Sequence, residues 1–161
     1  LECYEIAAKK DQDNCDVLDP YGELLGNCGQ VDEAQRVLFK SIQLQPEKNP
    51  TKYLYAAQTL NGLDSVNYFK TAIALLLKEK DLYTKTLKTD ETKTIIDHLS
   101  SAYATIAELY MTDCCDEPDA EEQCVKCLDE ALVHDPDCID ALRNYGNYWI
   151  IKDNMEQAKT H

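Results

Sequence analysis

Apolar residues recur along most of the chain at the three- and four-residue spacing of amphipathic helices. Residues 18–46, LDPYGELLGNCGQVDEAQRVLFKSIQLQP, contain two such apolar stripes, and Gly29 lies between them at a position suited to a turn. Residues 52–76 show a second pair of stripes around Asn61-Gly62. Residues 95–136 show a third pair, whose second helix is EEQCVKCLDEALVHD. The pattern therefore predicts a protein built from helical pairs.

These pairs share one spacing of large and small residues, which is the spacing of tetratricopeptide repeats. Small residues should let the two helices of a pair approach closely, and each pair needs neighbours to bury its remaining apolar face. We therefore predict an all-α, right-handed superhelical tetratricopeptide-repeat solenoid with an irregular third repeat. The first full repeat shows the spacing at Leu18, Tyr21, Gly22, Leu25, Ala34, Leu38 and Pro46; the small residues are Gly22, Ala57, Ala107 and Gly146; the last repeat shows it again at Leu142, Tyr145, Gly146, Trp149 and Ala158.

The same register predicts the organisation of the chain. We expect a single domain over residues 1–161, which begins inside a larger protein. Residues 1–14 are the end of a truncated repeat, and residues 15–48, 49–80 and 95–138 are repeats. Residues 139–161 are a second truncated repeat. Residues 81–94 are polar and rich in Thr and Lys, so they are predicted to be an exposed linker.

A cysteine-rich stretch, YMTDCCDEPDAEEQCVKC at residues 110–127, interrupts the register. The small buried position arrives at Cys124, five residues late, so residues 115–120 are predicted to lengthen the turn inside a helical pair. Zinc bound by Cys114, Cys115, Cys124 and Cys127 is the alternative, but adjacent cysteines followed by CxxC within a helix match no usual finger spacing. Neither a thioredoxin-like context nor an EF-hand spacing is present. We expect no metal and no cofactor.

Catalytic motifs are absent from the sequence: it has no phosphate-binding loop, no GxSxG and no HExxH. We therefore predict a binding protein with no catalytic residues rather than an enzyme. No apolar run approaches the roughly 20 residues of a membrane span. Eight cysteines without a signal peptide indicate a reducing compartment, so the expected location is the cytoplasm and nucleus.

The net charge of −14 is unevenly distributed. Residues 97–161 contain fifteen acidic and four basic residues, whereas residues 47–96 contain six and eight. Such a surface repels nucleic acid and attracts a basic protein partner. Solubility alone is the other explanation of this charge.

In tetratricopeptide repeats the first helix of each pair lines a concave groove, and this resemblance implies where a partner would bind. Asp16, Asp19 and Glu23 share one helix face, for which a solvated flank is the alternative. The clamp that other repeats of this class use for acidic chaperone tails is disfavoured, because Asp19 and Glu23 occupy its Lys and Asn positions. The predicted partner-binding residues are Asp16, Asp19, Glu23, Leu54, Tyr55, Gln58, Glu108, Met111, Asp140, Arg143 and Asn147.

Two segments resemble one particular family. KYLYAAQTLNG and IAELYMTDCCDEPDAEEQCVKCLDEAL are similar to the dedicated assembly chaperones of large-subunit ribosomal protein L4. The resemblance covers most of residues 50–136 and implies a function: holding the long basic internal loop of newly made L4 until assembly. It implies no direct nucleic-acid or membrane partner. A generic tetratricopeptide scaffold that joins unrelated proteins is the alternative function, and a zinc-dependent module is a third.

Overall fold

The chain folds into α-helices joined by short turns. The computed structural model describes residues 1–85 and 89–159, and within these residues all regular structure is helical. The first helices are α1 (Glu2–Lys10), α2 (Cys15–Asn27), α3 (Val31–Leu44) and α4 (Thr51–Gln58). The following ones are α5 (Gly62–Lys85), α6 (Thr89–Met111), α7 (Ala120–His134) and α8 (Ile139–Lys159). The predicted all-α class is confirmed.

The helices form two compact units, Leu1–Lys78 and Glu79–His161, and the boundary falls within α5. In the first unit α2 packs against α3, and α4 packs against both. In the second unit α6 packs against α7 and α8. The organisation as a single repeat domain stays a prediction, apart from the linker at 81–94 and the register of the last repeat, which are described below.

Close approach of α2 and α3 organises the core of the first unit. Leu25, Ala34 and Leu38 are fully buried there. A Cβ atom added at Gly22 would lie 2.6 Å from the Leu38 Cγ and Cδ2 atoms, so only glycine fits against this leucine. The turn between the two helices needs the positive φ of Gly29, 73°, which glycine adopts without strain. The predicted roles of Gly22 and Gly29 are confirmed.

A buried lysine joins α4 to the end of α3. Lys52 has no exposed surface, and its Nζ atom donates to the backbone oxygens of Ser41 and Gln45 at 3.2 and 2.6 Å. Ser41 in turn donates from its hydroxyl to Asp19 of α2. Asn49, in the preceding loop at a φ of 50°, donates to the other Asp19 oxygen at 2.7 Å. This chain of hydrogen bonds, the Lys52 network, connects three helices and one loop.

The second unit packs around one face of α6. Ile106, Ala107 and Tyr110 are buried on this face, as are Cys124 and Leu128 of α7. Tyr110 is therefore a core residue. From α8, Asn144 is almost fully buried and donates to the Ala104 backbone oxygen of α6 at 3.0 Å.

The predicted linker at 81–94 is largely helical, so that prediction was wrong for most of its length. Helix α5 continues to Lys85 and α6 begins at Thr89, while residues 86–88 lie outside the described residues. Polar composition misled the prediction, because the exposed faces of two long helices are also polar. Leu82 is 59% exposed, and the nearest buried apolar residues among those described, Leu76 and Ile95, lie on either side of the segment.

The register predicted for the last repeat was also wrong. Gly146 is exposed and has nothing within 4 Å of an added Cβ atom, and Leu142 and Trp149 are 51% and 58% exposed. The buried face of α8 instead carries Ala141, Asn144 and Tyr148, which face α6 and α7. No described helix covers the opposite face, so the close-packing position of the repeat pattern is not used there. The predicted position of Ala158 lies among residues whose side chains are not described.

Alanine substitutions at two glycines test this difference. Gly22→Ala should lower the free energy of unfolding by about 1–3 kcal/mol, because the new methyl group overpacks against Leu38. Gly146→Ala should raise it by about 0.5–1 kcal/mol, because alanine is the better helix former at an exposed helical site. Urea unfolding of both variants measures the two changes. Equal effects at the two positions would contradict the packing described here.

Candidate partner-binding surfaces

The predicted binding residues of the first unit differ in their exposure. Asp16 and Gln58 are exposed, whereas Glu23 and Tyr55 are half-buried. Leu54 is buried, with 8% of its surface exposed, so it is a core residue rather than a contact for a partner.

Asp19 is likewise unavailable to a partner. Its carboxylate is 8% exposed and accepts hydrogen bonds from Ser41 and Asn49. The spacing in the sequence correctly placed Asp16, Asp19 and Glu23 along one face of α2. It could not show that Ser41 and Asn49, 22 and 30 residues further along, would occupy the middle carboxylate.

Glu23 is the carboxylate of this face that is partly desolvated and still accessible. Burial raises its pKa above the usual value, and the neighbouring Asp19 charge raises it further, whereas a hydrogen bond from Asn49 lowers it. The folded protein therefore holds a carboxylate whose ionisation is unfavourable in its surroundings. A cation from a partner would relieve this repulsion.

An aromatic ring of α4 contacts α2 one turn after Glu23. The Tyr55 ring covers Gly26, where an added Cβ atom would be 3.4 Å from the ring, and Asn27 Nδ2 lies 3.4 Å from the Tyr55 hydroxyl. Gln58 follows one turn later on α4. We call Asp16, Glu23, Asn27, Tyr55 and Gln58 the first acidic surface. The sequence prediction missed Asn27, because its contact with Tyr55 depends on how α2 meets α4.

The second unit carries the other predicted binding residues on α6 and α8. Arg143 is flanked by two carboxylates: Asp140 at 3.2 Å and Glu108 at 3.9 Å. All three side chains are more than half exposed, so these pairs are screened by solvent. Asn147 is exposed on α8, and Met111 is half-buried at the end of α6. We call Glu108, Met111, Asp140, Arg143 and Asn147 the second surface; its single cation leaves it net acidic.

Residues 112–119 of the cysteine-rich stretch form the turn between α6 and α7. The lengthened turn predicted at residues 115–120 is confirmed, and it begins three residues earlier than predicted. Pro118 lies within this turn, two residues before α7 begins at Ala120. Cys124 is buried as predicted, and burial raises the pKa of its thiol to about 11. A thiol that stays protonated at neutral pH is a poor zinc ligand and a poor nucleophile.

Among the described residues, no group of three or more His, Cys, Asp or Glu side chains is placed to hold a metal ion. That the protein binds no zinc stays a prediction, and elemental analysis of protein purified without added metal can test it. In the same part of the chain, no helix is long and apolar enough to cross a membrane.

A cavity of about 670 Å³ lies between α1, α2 and α3. Its walls combine the cations Lys9, Arg36 and Lys40 with the carboxylates Glu2, Glu5 and Glu33. This balanced lining favours neither sign of charge.

Comparison with known proteins bears on both the fold and the family. No protein-family model matches the chain. A curated protein of Schizosaccharomyces pombe, named probable assembly chaperone of rpl4, is 30% identical over 160 residues, which are 96% of this chain and 46% of that protein. The chain is a relative of this assembly chaperone. It spans about half the length of that curated relative.

Solved structures agree on the fold. The assembly chaperone of RpL4, Acl4, superposes with a TM-score of 0.78 at 22% identity, over 98% of this chain and 62% of the Acl4 chain. MamA superposes with a TM-score of 0.61 at 16% identity, over 98% of this chain and 79% of its own. The predicted tetratricopeptide-type helical solenoid is confirmed as the fold class. The predicted resemblance to L4 assembly chaperones is confirmed by the Schizosaccharomyces pombe protein.

Replacing Glu23 by glutamine tests whether this carboxylate opposes folding. Because its pKa is raised in the folded state, that state binds the proton more tightly, and stability falls as pH rises through the raised pKa. Glu23→Gln should therefore be more stable than the wild type at pH 7, and this advantage should disappear below the unfolded pKa of 4.5.

Urea unfolding at pH 7 and at a pH below 4.5 measures the effect. The control is Glu47→Gln, in the exposed loop before α4. A Glu23→Gln variant that is no more stable than the wild type at pH 7 would show that Glu23 is adequately solvated.

Proposed function

We propose that the chain is a binding module of a ribosome-assembly chaperone, which holds an extended basic segment of ribosomal protein L4. The segment is the basic internal loop of newly made L4, and the chain keeps it soluble until assembly. The single observation that carries the proposal is the partly desolvated Glu23 in the first acidic surface. Relatives named for L4 assembly supply the identity of the partner.

The first acidic surface offers the groups that a basic chain needs. Glu23 provides a carboxylate whose raised pKa a lysine or arginine would lower again, since the opposite charge favours the ionised form. Tyr55 provides an aromatic face for a guanidinium or an apolar side chain. Asn27 and Gln58 can donate to backbone carbonyls of an extended segment.

The second surface would contribute contacts of a different kind. Asp140 and Glu108 already share Arg143, so a partner cation there would compete with an internal one. Such exposed pairs are each worth little, about 0–1 kcal/mol. They steer a basic segment and set its salt dependence more than they hold it.

Charge also explains why the partner would need such a chaperone. A basic segment without its RNA repels itself and binds unrelated polyanions. A protein of net charge −14 neutralises it, and ribosomal RNA would later compete for the same positive charges. We place this binding function in the cytoplasm and nucleus, where cysteines stay reduced. In keeping with this, none of the eight cysteines forms a disulfide within the described residues. The proposed role is binding, not catalysis.

Charge reversal at Glu23 tests the proposal. Glu23→Lys should weaken binding of the isolated basic L4 segment by about 1–3 kcal/mol, because the pair it removes is partly desolvated. The matched control is Asp64→Lys, which changes the net charge equally on the exposed start of α5 and should cost much less. Asp19 is left unchanged, because its reversal would disrupt the Lys52 network.

Calorimetry at two salt concentrations gives both affinities, and circular dichroism confirms that the variants are folded. Binding of the wild type should weaken as salt rises. Equal losses in the two variants would remove the first acidic surface from the site. No binding of the basic segment by the wild type would refute the chaperone function and favour the generic scaffold.

A further inference from the structure

A cavity of about 300 Å³ opens beside the lengthened turn of the second unit. Its apolar walls are Met111 from α6, Pro118 from the turn, Ala120 from α7 and Ile151 from α8, together with the ring of Tyr148. Its volume is at the lower end of the range for ligand pockets, about 300–1,000 Å³. The cavity therefore suits one large apolar side chain and the short piece of backbone that carries it.

The rim of this cavity is strongly acidic. Residues 112–123 contain six carboxylates and no cationic side chain, and two of these carboxylates, Glu117 and Glu121, line the cavity itself. An apolar cavity with such a rim favours a peptide segment in which Lys or Arg stands next to an apolar residue. It disfavours segments that are anionic or uncharged.

The ammonium group of Lys152, on α8, is bound at one wall of the cavity. Lys152 Nζ lies 2.7 Å from Glu121 Oε1 and 3.0 Å from the Tyr148 hydroxyl. It also lies 5.4 Å and 5.7 Å from the ring centroids of Tyr148 and Trp149, within reach of a cation–π interaction. The Lys152 side chain is 40% exposed, so it is accessible to exchange with another cation. Carboxylate, hydroxyl and aromatic faces thus form a cation site at the edge of the apolar cavity.

We propose that this cavity binds one apolar side chain of an extended basic peptide, and that a Lys or Arg next to it replaces Lys152 at Glu121. The inference rests on the proposed function, because it names the kind of residue that the basic partner presents here. It adds an apolar anchor to the charge complementarity, so that binding depends on sequence and not only on the number of cations. The cavity is formed by residues of the second unit, whereas the first acidic surface is formed by residues of the first.

Two peptides and two variants of the 161-residue chain test the anchor. One synthetic peptide contains Lys, Arg and Gly with a single central Leu, and the other has Gly in place of that Leu. Ile151→Glu puts a carboxylate into the cavity wall, whereas Ile150→Glu puts one on the neighbouring exposed position outside it. Both variants gain the same charge, so electrostatic attraction alone predicts the same slight tightening for each.

Calorimetry of the wild type should show about tenfold tighter binding of the Leu peptide than of the Gly peptide, which is the effect expected from burying one leucine side chain. Ile151→Glu should remove this preference, and Ile150→Glu should keep it. Cys115→Trp, which fills the cavity from an exposed position in the turn, should also remove it.

The other outcomes separate this inference from the proposed function. If the wild type binds both peptides equally in a salt-dependent way, the cavity is not an anchor, but the basic-segment function stands. If it binds neither peptide, both proposals fail. Sedimentation of the wild type and of Ile151→Glu without peptide measures whether a second copy of the chain occupies the cavity instead. A wild-type dimer that Ile151→Glu dissociates would assign the cavity to that second copy and overturn the inference.

Discussion

The buried amine of Lys52 constrains how α2, α3 and α4 pack in the first unit. Moving an ammonium group out of water costs several kcal/mol, even after the surroundings relax. The cost is offset here because the backbone oxygens of Ser41, in the last turn of α3, and of Gln45, directly after it, accept hydrogen bonds from the amine at the negative end of the helix. Asp19 supplies a counter-charge through the Ser41 hydroxyl. The geometry works only if α2, α3 and α4 keep their present arrangement, so the network selects that arrangement over other packings of the same apolar faces.

This constraint also shapes the acidic surface. Asp19 is used internally. Burial raises the pKa of Glu23, one turn further along α2, and the neighbouring Asp19 charge raises it further. The same arrangement of α2 and α4 places the Tyr55 ring over Gly26. Asp19, which stabilises the fold, thus makes the neighbouring Glu23 a better site for a cation. The unfavourable ionisation of Glu23 lowers the stability of the folded chain when no partner is bound.

The fold was largely predictable because it rests on local periodicity. Leu18, Tyr21, Gly22 and Ala34 occupy their expected positions, since the helix period and the close approach of a helical pair fix them together. The site was less predictable. Lys52 looks like a surface residue in the sequence, and its burial depends on α3 carbonyls 7 and 11 residues earlier. Gly146 matches the repeat pattern, but a close-packing position has this role only where a second helix covers it, and no described helix does.

The burial of Lys52 has a consequence for the chemistry of the folded chain. An amine is acylated, methylated or conjugated to another protein only if a reagent or enzyme can reach its lone pair. Lys52 Nζ is enclosed by three oxygens and has no exposed surface, so the folded state protects it, whereas unfolding makes it as reactive as any other lysine. Its state of modification therefore records whether this part of the chain was folded when the modifying agent was present.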